Sequence, residues 1–132
     1  MFAANRVVLI PAGIGVEGPT RTLAGRIISA RCYADLVTLD ATGVVLVSER
    51  AGAHAQPHAS VGALFRAWGR PLSHHRLLSF RAGAGHEVRA FVDGRTWGGD
   101  PGPIPLSPHA EIVLEVGPYV PPHSSFTFPG GA

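Results

Sequence analysis

The side chains of this sequence that could carry out chemistry include its single cysteine and the acidic residues that follow it. Cys32 could act as a thiol nucleophile together with a distant histidine and Asp40. Asp35 or Asp40 could also supply acid–base help to a small enzyme. A lone cysteine before a strand is more often a small buried residue, and no nucleophile-elbow motif is present. A catalytic role therefore stays unassigned, with Cys32, Asp35 and Asp40 as its candidates.

Four histidines form two groups that could bind a metal ion. His54 and His58 are four residues apart, and His74 and His75 are adjacent. Imidazoles from two loops could together bind Zn²⁺ or Cu²⁺. Pro57 argues against a helix that would align the first pair, and no cysteine or ordered carboxylate is expected nearby. We favour solvated loop histidines and predict no metal site.

The stretch Gly98–Asp100 is rich in glycine, as phosphate-binding loops are. It lacks the helix start that a phosphate cradle needs. No other segment carries a cofactor motif, so we predict that the protein works without a cofactor.

The composition favours one small domain built from short elements. The chain has 132 residues, of which 45% are hydrophobic and 15% are charged. Its 17 glycines and 12 prolines favour turns over long helices. The net charge is only +2, and the 11 basic residues, all arginine, are scattered singly. Nucleic-acid-binding proteins carry basic clusters, so we predict no nucleic-acid partner.

The first residues and the hydrophobic runs bear on location. The opening segment has one arginine and a short apolar run, but Pro11, Gly13 and Gly15 interrupt it. No clean cleavage site follows, and no run is long enough to cross a bilayer. As written, the chain is predicted to be cytoplasmic and to lack a membrane span. If an N-terminal segment is missing, an envelope or secreted location is expected instead.

Strands are predicted in the first half of the chain. Arg6–Ile10 is a β-branched run, whereas residues 13–22 carry glycines and a proline and are predicted to be a loop. Leu36–Leu39 and Val44–Val47 predict an antiparallel hairpin around a turn at Asp40–Gly43.

A short helix is predicted to follow. Val61, Leu64, Phe65 and Trp68 have the spacing of one helical face. Ser60 is a suitable N-cap, and the glycine after Trp68 is a suitable C-cap. Because two helical turns are not stable alone, the apolar face must pack on a sheet.

The second half ends in a strand, a turn-rich loop and another strand. Val88–Val92 and Ile112–Val116 are the two strands, and Asp93-Gly94 predicts a tight turn after the first. Glu111 and Glu115 predict that one face of the last strand is more exposed to solvent than the other.

Hairpin, helix, strand, loop and strand is the element order of a β-grasp domain. The phrase VDG…IPLSPHAEIVLEVG resembles the end of ubiquitin-like and sulfur-carrier-type β-grasp modules. The exposed Gly-Gly terminus of sulfur carriers is not reproduced, because Ala132 follows Gly131 here. We predict an α+β fold, a small β-grasp-like mixed sheet packed on one short helix, with Gly/Pro-rich loops. It spans residues 1–118, followed by a proline-rich tail at 119–132.

Most of the chain, roughly residues 7–131, is similar to an uncharacterised family of bacterial envelope proteins. The resemblance rests on the segments IPAGIGV, CYADLVTLDATGVVLVSE, ASVGALFRAWGRPLS, VRAFVDGRTWGGDPGPIPLSPHAEIVLEVGP and FTFPGG. The family carries a His-rich strand upstream, absent here, and a hairpin with the pattern Cys, aromatic, Leu-His-Thr-His-Asp, Gly, Ile-Ile-His, which together imply a metal site. Val37, Leu39 and Leu46 occupy the aligned histidine positions, so the resemblance implies a member without these imidazoles.

Aliphatic groups at these three positions cannot bind a metal and would line an apolar surface or pocket. Together with Phe91 and Trp97, they are the predicted ligand-binding residues: Val37, Leu39, Leu46, Phe91 and Trp97. The alternative is that these side chains belong to the core.

Three functions are compatible with these residues. The first is a non-catalytic binding module that engages a protein partner, a second copy of itself in a homo-oligomer, or an apolar small molecule. The second is a small cofactor-free enzyme, of cyclase or isomerase type, with an apolar substrate. The third is metal binding through the loop histidines. A cavity of a few hundred Å³ beneath the hairpin would favour the second, and a flat apolar patch the first.

Overall fold

The computed structural model describes residues 1–48 and 59–118. His54, His58 and the predicted proline-rich tail lie outside these described residues. Within them the fold is mainly β, with 41% of residues in strands and 7% in one short helix. No helix in this part of the chain has the length and apolar character needed to cross a membrane.

The described residues contain twelve strands and one helix. The strands are β1 Phe2–Ala3, β2 Arg6–Val7, β3 Val16–Leu23, β4 Arg26–Tyr33, β5 Leu36–Val37, β6 Leu46–Val47, β7 Leu72–Ser73, β8 Arg76–Leu77, β9 Phe80–Arg81, β10 Arg89–Val92, β11 Arg95–Trp97 and β12 Ile112–Val116. The helix, α1, spans Val61–Trp68 between β6 and β7. The strands are divided among four separate sheets.

The largest sheet has five strands in the order β11-β10-β12-β1-β2. β1 runs parallel to β12, with Phe2 opposite Glu115, and the other neighbouring pairs are antiparallel. Residues of this sheet, of α1, of β8 and of the segments before β10 and β12 share one buried core. Its members are Ala3, Val61, Phe65, Leu77, Val88, Ala90, Ile104, Leu114 and Val116.

The predicted α+β, β-grasp-like fold is wrong, because the chain is mostly β and its strands form several small sheets. The mixed sheet with one short helix agrees with that prediction in part. The error arises in two segments with loop-like composition. Residues 13–22 contain most of β3, and residues 70–86, interpreted from the sequence as a long connection with a possible short strand at Leu77–Phe80, contain β7, β8 and β9. Their glycine, proline and polar residues favour turns locally, but proline and glycine are tolerated in edge strands such as β3 and β7.

Strands β3 and β4 form a two-stranded ribbon that is exposed along almost its whole length. Its register shifts between Glu17 and Thr20, the position of Pro19, so the missing proline amide does not break a regular ladder. Ile27 is the buried residue of the ribbon. The Ile27 amide donates to the Leu39 carbonyl at 2.8 Å, which fastens the ribbon to the segment after β5.

The predicted hairpin exists, but it is shorter than expected and forms its own two-stranded sheet. Leu36 pairs with Val47, and Val37 pairs with Leu46. The other four residues of the predicted strands lie in its loop.

Thr38 holds that loop against the N-terminal half of the chain. It is fully buried, and its hydroxyl donates to the Pro11 carbonyl at 2.7 Å. The same oxygen accepts from the Ile14 amide at 3.1 Å. The Thr38 backbone also pairs with this half: its amide donates to the Ile14 carbonyl at 3.1 Å, and its carbonyl accepts from the Gly13 amide at 2.8 Å. These two backbone bonds replace ladder bonds that a longer hairpin would have made.

The predicted helix and both of its caps are confirmed. Ser60 Oγ accepts from the Ala63 amide at 3.2 Å, and Gly69 ends the helix in the left-handed region. Phe65 is buried in the core, and the Trp68 ring lies beside it with the centroids 5.6 Å apart. The helix is thus fixed to the sheet by its apolar face, as its spacing indicates.

The two predicted C-terminal strands are confirmed as β10 and β12. Asp93 and Gly94 form a two-residue turn with positive φ at both positions, and this turn leads into the unpredicted strand β11. The prediction that Glu115 lies on a solvent-exposed face is wrong, because this residue is only 2% exposed. Glu115 lies opposite Arg89, whose Nη2 is 3.7 Å from Glu115 Oε2, so a cross-strand ion pair accompanies its burial.

Candidate functional site

A cleft of about 340 Å³ lies between α1, β12, the segment after β2 and the loop of the β5–β6 hairpin. Its lining is mostly aliphatic. The lining consists of Met1, Phe2, residues 7–10, residues 41–45, Val47, Val61, Leu64, Phe65, residues 106–107 and residues 109–114. A concave site of this size and character is typical of small-molecule binding.

Three aliphatic side chains of the cleft are unusually exposed. Val7 on β2 is 65% exposed, Leu9 just beyond it is 64% exposed, and Val47 on β6 is 37% exposed. Burying such groups is favourable by about 0.8 kcal/mol for each CH₂ removed from water. An apolar occupant of the cleft would therefore gain free energy from all three.

One wall of the cleft is the loop 41–45, which Asp40 fixes at its start. Asp40 Oδ1 accepts from the Thr42 hydroxyl and from the Thr42 amide, the latter at 3.2 Å. Asp40 Oδ2 accepts from Arg26 Nη1 at 2.5 Å. The Thr42 hydroxyl first, and then the Thr42 amide and the Arg26 charge, hold the pKa of Asp40 below its ordinary value. The ionised carboxylate therefore keeps this wall in place.

Polar side chains reach the cleft from the loop that leads into β12. Ser107, His109 and Glu111 line it there. The Glu111 amide donates to Asp93 Oδ1 at 2.9 Å, and the Asp93 amide donates to the Glu111 carbonyl at 2.8 Å. The β10–β11 turn thus positions the polar side of the cleft. His109 has φ +58° because it is the third residue of a turn, which the Ala110 amide closes by donating to the Ser107 carbonyl at 3.1 Å.

A second, more open depression of about 310 Å³ adjoins the cleft at Val47, which lines both. Its other lining residues are Tyr33, Ala34, Asp35, Val37, Leu46 and Ser48. The Ser48 amide donates to the Asp35 carbonyl at 2.8 Å, which fixes the two residues relative to each other. The depression is built on the ends of β4 and β6. Tyr33, Asp35 and Ser48 make its lining more polar than that of the cleft.

The structure brings together only some of the predicted ligand-binding residues. Val37 and Leu46 are cross-strand partners, and both line the second depression. Leu39 is partly buried and accepts a hydrogen bond from the ribbon through its carbonyl. Phe91 and Trp97 lie on the five-stranded sheet and line neither of these two cavities. The single surface that sequence reasoning predicted is thus divided between two sheets.

The three catalytic candidates occupy separate places. Cys32 lies on the ribbon opposite Glu17 and is exposed, so the expectation of a buried thiol is wrong. Asp35 lines the second depression, and Asp40 supports the cleft wall. Cys32 is exposed because β4 belongs to a two-stranded sheet without a covering layer in the described chain.

The second histidine pair lies on the β7–β8 turn. His74 Nε2 is 2.7 Å from Glu87 Oε2, and His75 Nδ1 is 3.2 Å from the His86 carbonyl oxygen. The rings of His74 and His75 meet edge to face with centroids 4.6 Å apart. Across residues 1–48 and 59–118, no three His, Cys, Asp or Glu side chains are grouped so as to hold a metal ion.

Sequence reasoning does not identify the cleft residues themselves. The available signal is the run Arg6–Ile10, which is predicted as a strand of five residues. Only Arg6 and Val7 pair in the sheet, so the apolar side chains beyond them are left to line the cleft. A β-branched run that is longer than the strand it forms can therefore indicate residues that line a cavity.

Comparison of the chain with protein-family models, with curated proteins and with solved structures finds no match. The function proposed below therefore rests on the geometry of this chain's residues.

Proposed function

We propose that the protein binds an apolar small molecule in the cleft between α1, β12 and the β5–β6 loop. The observation that carries this proposal is the convergence of Val7, Leu9 and Val47, all partly exposed, on one cleft of about 340 Å³. An occupant would gain about 25 cal/mol for each Å² of apolar surface that it buries. A concave site of this size suits a small molecule better than the broad face of a protein partner.

Nile red, a neutral apolar dye, provides the test because its fluorescence rises when it leaves water. We expect saturable binding of the dye and competitive displacement by decanol. Leu9→Gln should weaken decanol binding about fivefold, because an amide replaces aliphatic carbon in the cleft. The change is at an exposed position, so the fold should be retained.

Leu23→Gln is the matched control. Leu23 is 67% exposed, close to the 64% of Leu9, but it lies on the ribbon outside the cleft. This variant should keep the decanol affinity of the wild-type protein. Equal losses in both variants, or no saturable dye binding by the wild-type protein, would contradict the proposal.

An enzyme of cyclase or isomerase type is the second candidate. His109 and Glu111 support it, because an imidazole and a carboxylate on the wall of an apolar cleft are suitable acid–base groups. Such an enzyme would copurify from its native host with two isomers of equal mass, because it brings them to equilibrium, whereas Glu111→Gln would copurify with the substrate isomer alone. Chromatography separates the isomers, and the same single species in both proteins would reject this candidate.

We also propose that the chain belongs to the envelope-protein family that it resembles, as a member without the metal-binding imidazoles. The pairing of Val37 with Leu46 is compatible with a metal site at the aligned positions of such relatives. Directly opposed residues have Cβ atoms about 5 Å apart, so histidines at these two positions could bind the same metal ion.

A further inference from the structure

The cleft and the second depression are adjacent, because Val47 is a lining residue of both. The cleft is mostly aliphatic, whereas the depression carries the Tyr33 phenol, the Asp35 carboxylate and the Ser48 hydroxyl. An elongated molecule that crosses Val47 would thus meet apolar groups at one end and polar groups at the other. This arrangement matches an amphiphile.

The charge of the depression comes from Asp35. Within residues 1–48 and 59–118, the ion pairs involve other acidic residues: Asp40, Glu87 and Glu115. Arg31, the nearest arginine along β4, lies over Gly18 on the ribbon and does not line the depression. The depression is therefore negatively charged within the described chain.

Tyr33 lines the same depression as Asp35. The residue is 49% exposed. Aromatic faces attract cations, and a neighbouring carboxylate adds a charge of the opposite sign. An ammonium group would gain from both Tyr33 and Asp35. A carboxylate or phosphate head would instead be repelled by Asp35.

We propose that this depression is a head-group subsite and that the ligand is an amphiphile with a cationic ammonium head and an apolar chain. The inference rests on the proposed function, because the chain must occupy the cleft. Tyr33 and Asp35 bind the head, Val47 separates the two subsites, and the aliphatic cleft takes the chain.

Three probes that share the decyl chain test the head-group preference: decyltrimethylammonium, decanol and decanoate. Each is titrated below its micelle concentration against Nile red bound to the cleft. The wild-type protein should bind the ammonium probe about fivefold more tightly than decanol, and decanoate more weakly than decanol. Asp35→Asn should remove the preference for the ammonium probe over decanol.

Glu17→Gln is the control for net charge. It makes the same change in charge on β3, outside both cavities, and should keep the preference. Tyr33→Phe retains an aromatic face and should also keep it, whereas Tyr33→Leu should reduce it about threefold. These variants separate a local effect at the depression from a general effect of protein charge.

The outcomes distinguish the subsite from the cleft. Equal affinity for the three probes, with decanol still bound, would overturn the head-group subsite and leave the proposed function standing. A preference that survives Asp35→Asn, or that Glu17→Gln removes equally, would also overturn it. If none of the three probes displaces Nile red, the cleft proposal fails and the subsite fails with it.

Discussion

Arg26 Nη1 lies 2.5 Å from Asp40 Oδ2, and this contact joins the β3–β4 ribbon to the loop that forms one wall of the cleft. The same carboxylate accepts hydrogen bonds from Thr42, so it holds the loop from two directions. The shape of the cleft therefore depends on the ionisation of one side chain at the surface.

The first prediction concerns pH. The pKa of Asp40 is lowered in the folded protein, so its ionisation stabilises the fold at pH values above the unfolded pKa of about 3.9. This contribution is lost as the pH falls through the folded-state pKa. We expect Nile red binding to weaken only as the pH falls through the lowered folded-state pKa of Asp40, and Asp40→Asn to lack this component of the pH dependence. Dye titrations and thermal denaturation across the acidic range measure it; identical profiles for the two proteins would refute the role of Asp40.

The second prediction concerns Thr38. Thr38→Val keeps the shape of the side chain but leaves the Pro11 carbonyl and the Ile14 amide without their buried partner. We expect the free energy of unfolding to fall by about 2 to 3 kcal/mol in urea denaturation. Thr38→Ser retains the hydroxyl and should cost less. A larger loss in the serine variant would show that methyl packing, and not hydrogen bonding, dominates at this position.

The third prediction compares two glycines with left-handed backbones. A Cβ atom at Gly15, with φ +69°, would overlap the Leu36 carbonyl oxygen, whereas one at Gly25, with φ +78°, would meet nothing within 4 Å. Gly25→Ala should therefore cost only the backbone term of about 1 kcal/mol. Gly15→Ala adds a clash with backbone atoms and should cost about 3 kcal/mol or more. Thermal and urea denaturation measure the difference, and equal losses would rule out a close approach at Gly15.

The fourth prediction tests whether the positions of Val37 and Leu46 can hold a metal ion, as the proposed family membership requires. The double variant Val37→His, Leu46→His places two imidazoles on directly opposed positions of the hairpin. We expect it to bind Zn²⁺ measurably by calorimetry, because both imidazoles can reach one ion. Val37→His alone is the control and should bind at least about tenfold more weakly. Equal Zn²⁺ affinities in the double and single variants would count against a former metal site.

Local signals predicted the elements that are stabilised locally. Ser60 and Gly69 cap α1 as their residue types indicate, and the Asp93–Gly94 turn follows from its dipeptide. The β3–β4 ribbon was missed because Pro19 and its neighbouring glycines favour a loop when they are considered alone. The pairing between two strands is a non-local property, and composition within one strand does not reveal it.

The candidate site was predicted only where its residues are close in sequence. Asp35, Val37 and Leu46 fall within one hairpin region, and the structure places all three around the second depression. The cleft draws on segments from both halves of the chain, such as Leu9 and Ile112, which no local pattern links. The cleft forms only when the folded sheet brings these segments together, so it can be identified only from the tertiary structure.

The parallel pairing of β1 with β12 has a consequence for how the protein acquires its binding site during synthesis. Phe2 is made first, yet its partner Glu115 emerges from the ribosome only after more than a hundred further residues. Pairings between such distant segments form slowly because they require closure of a long loop. The nascent chain consequently has no complete cleft until β12 joins the sheet, and capture of a ligand has to follow that late step.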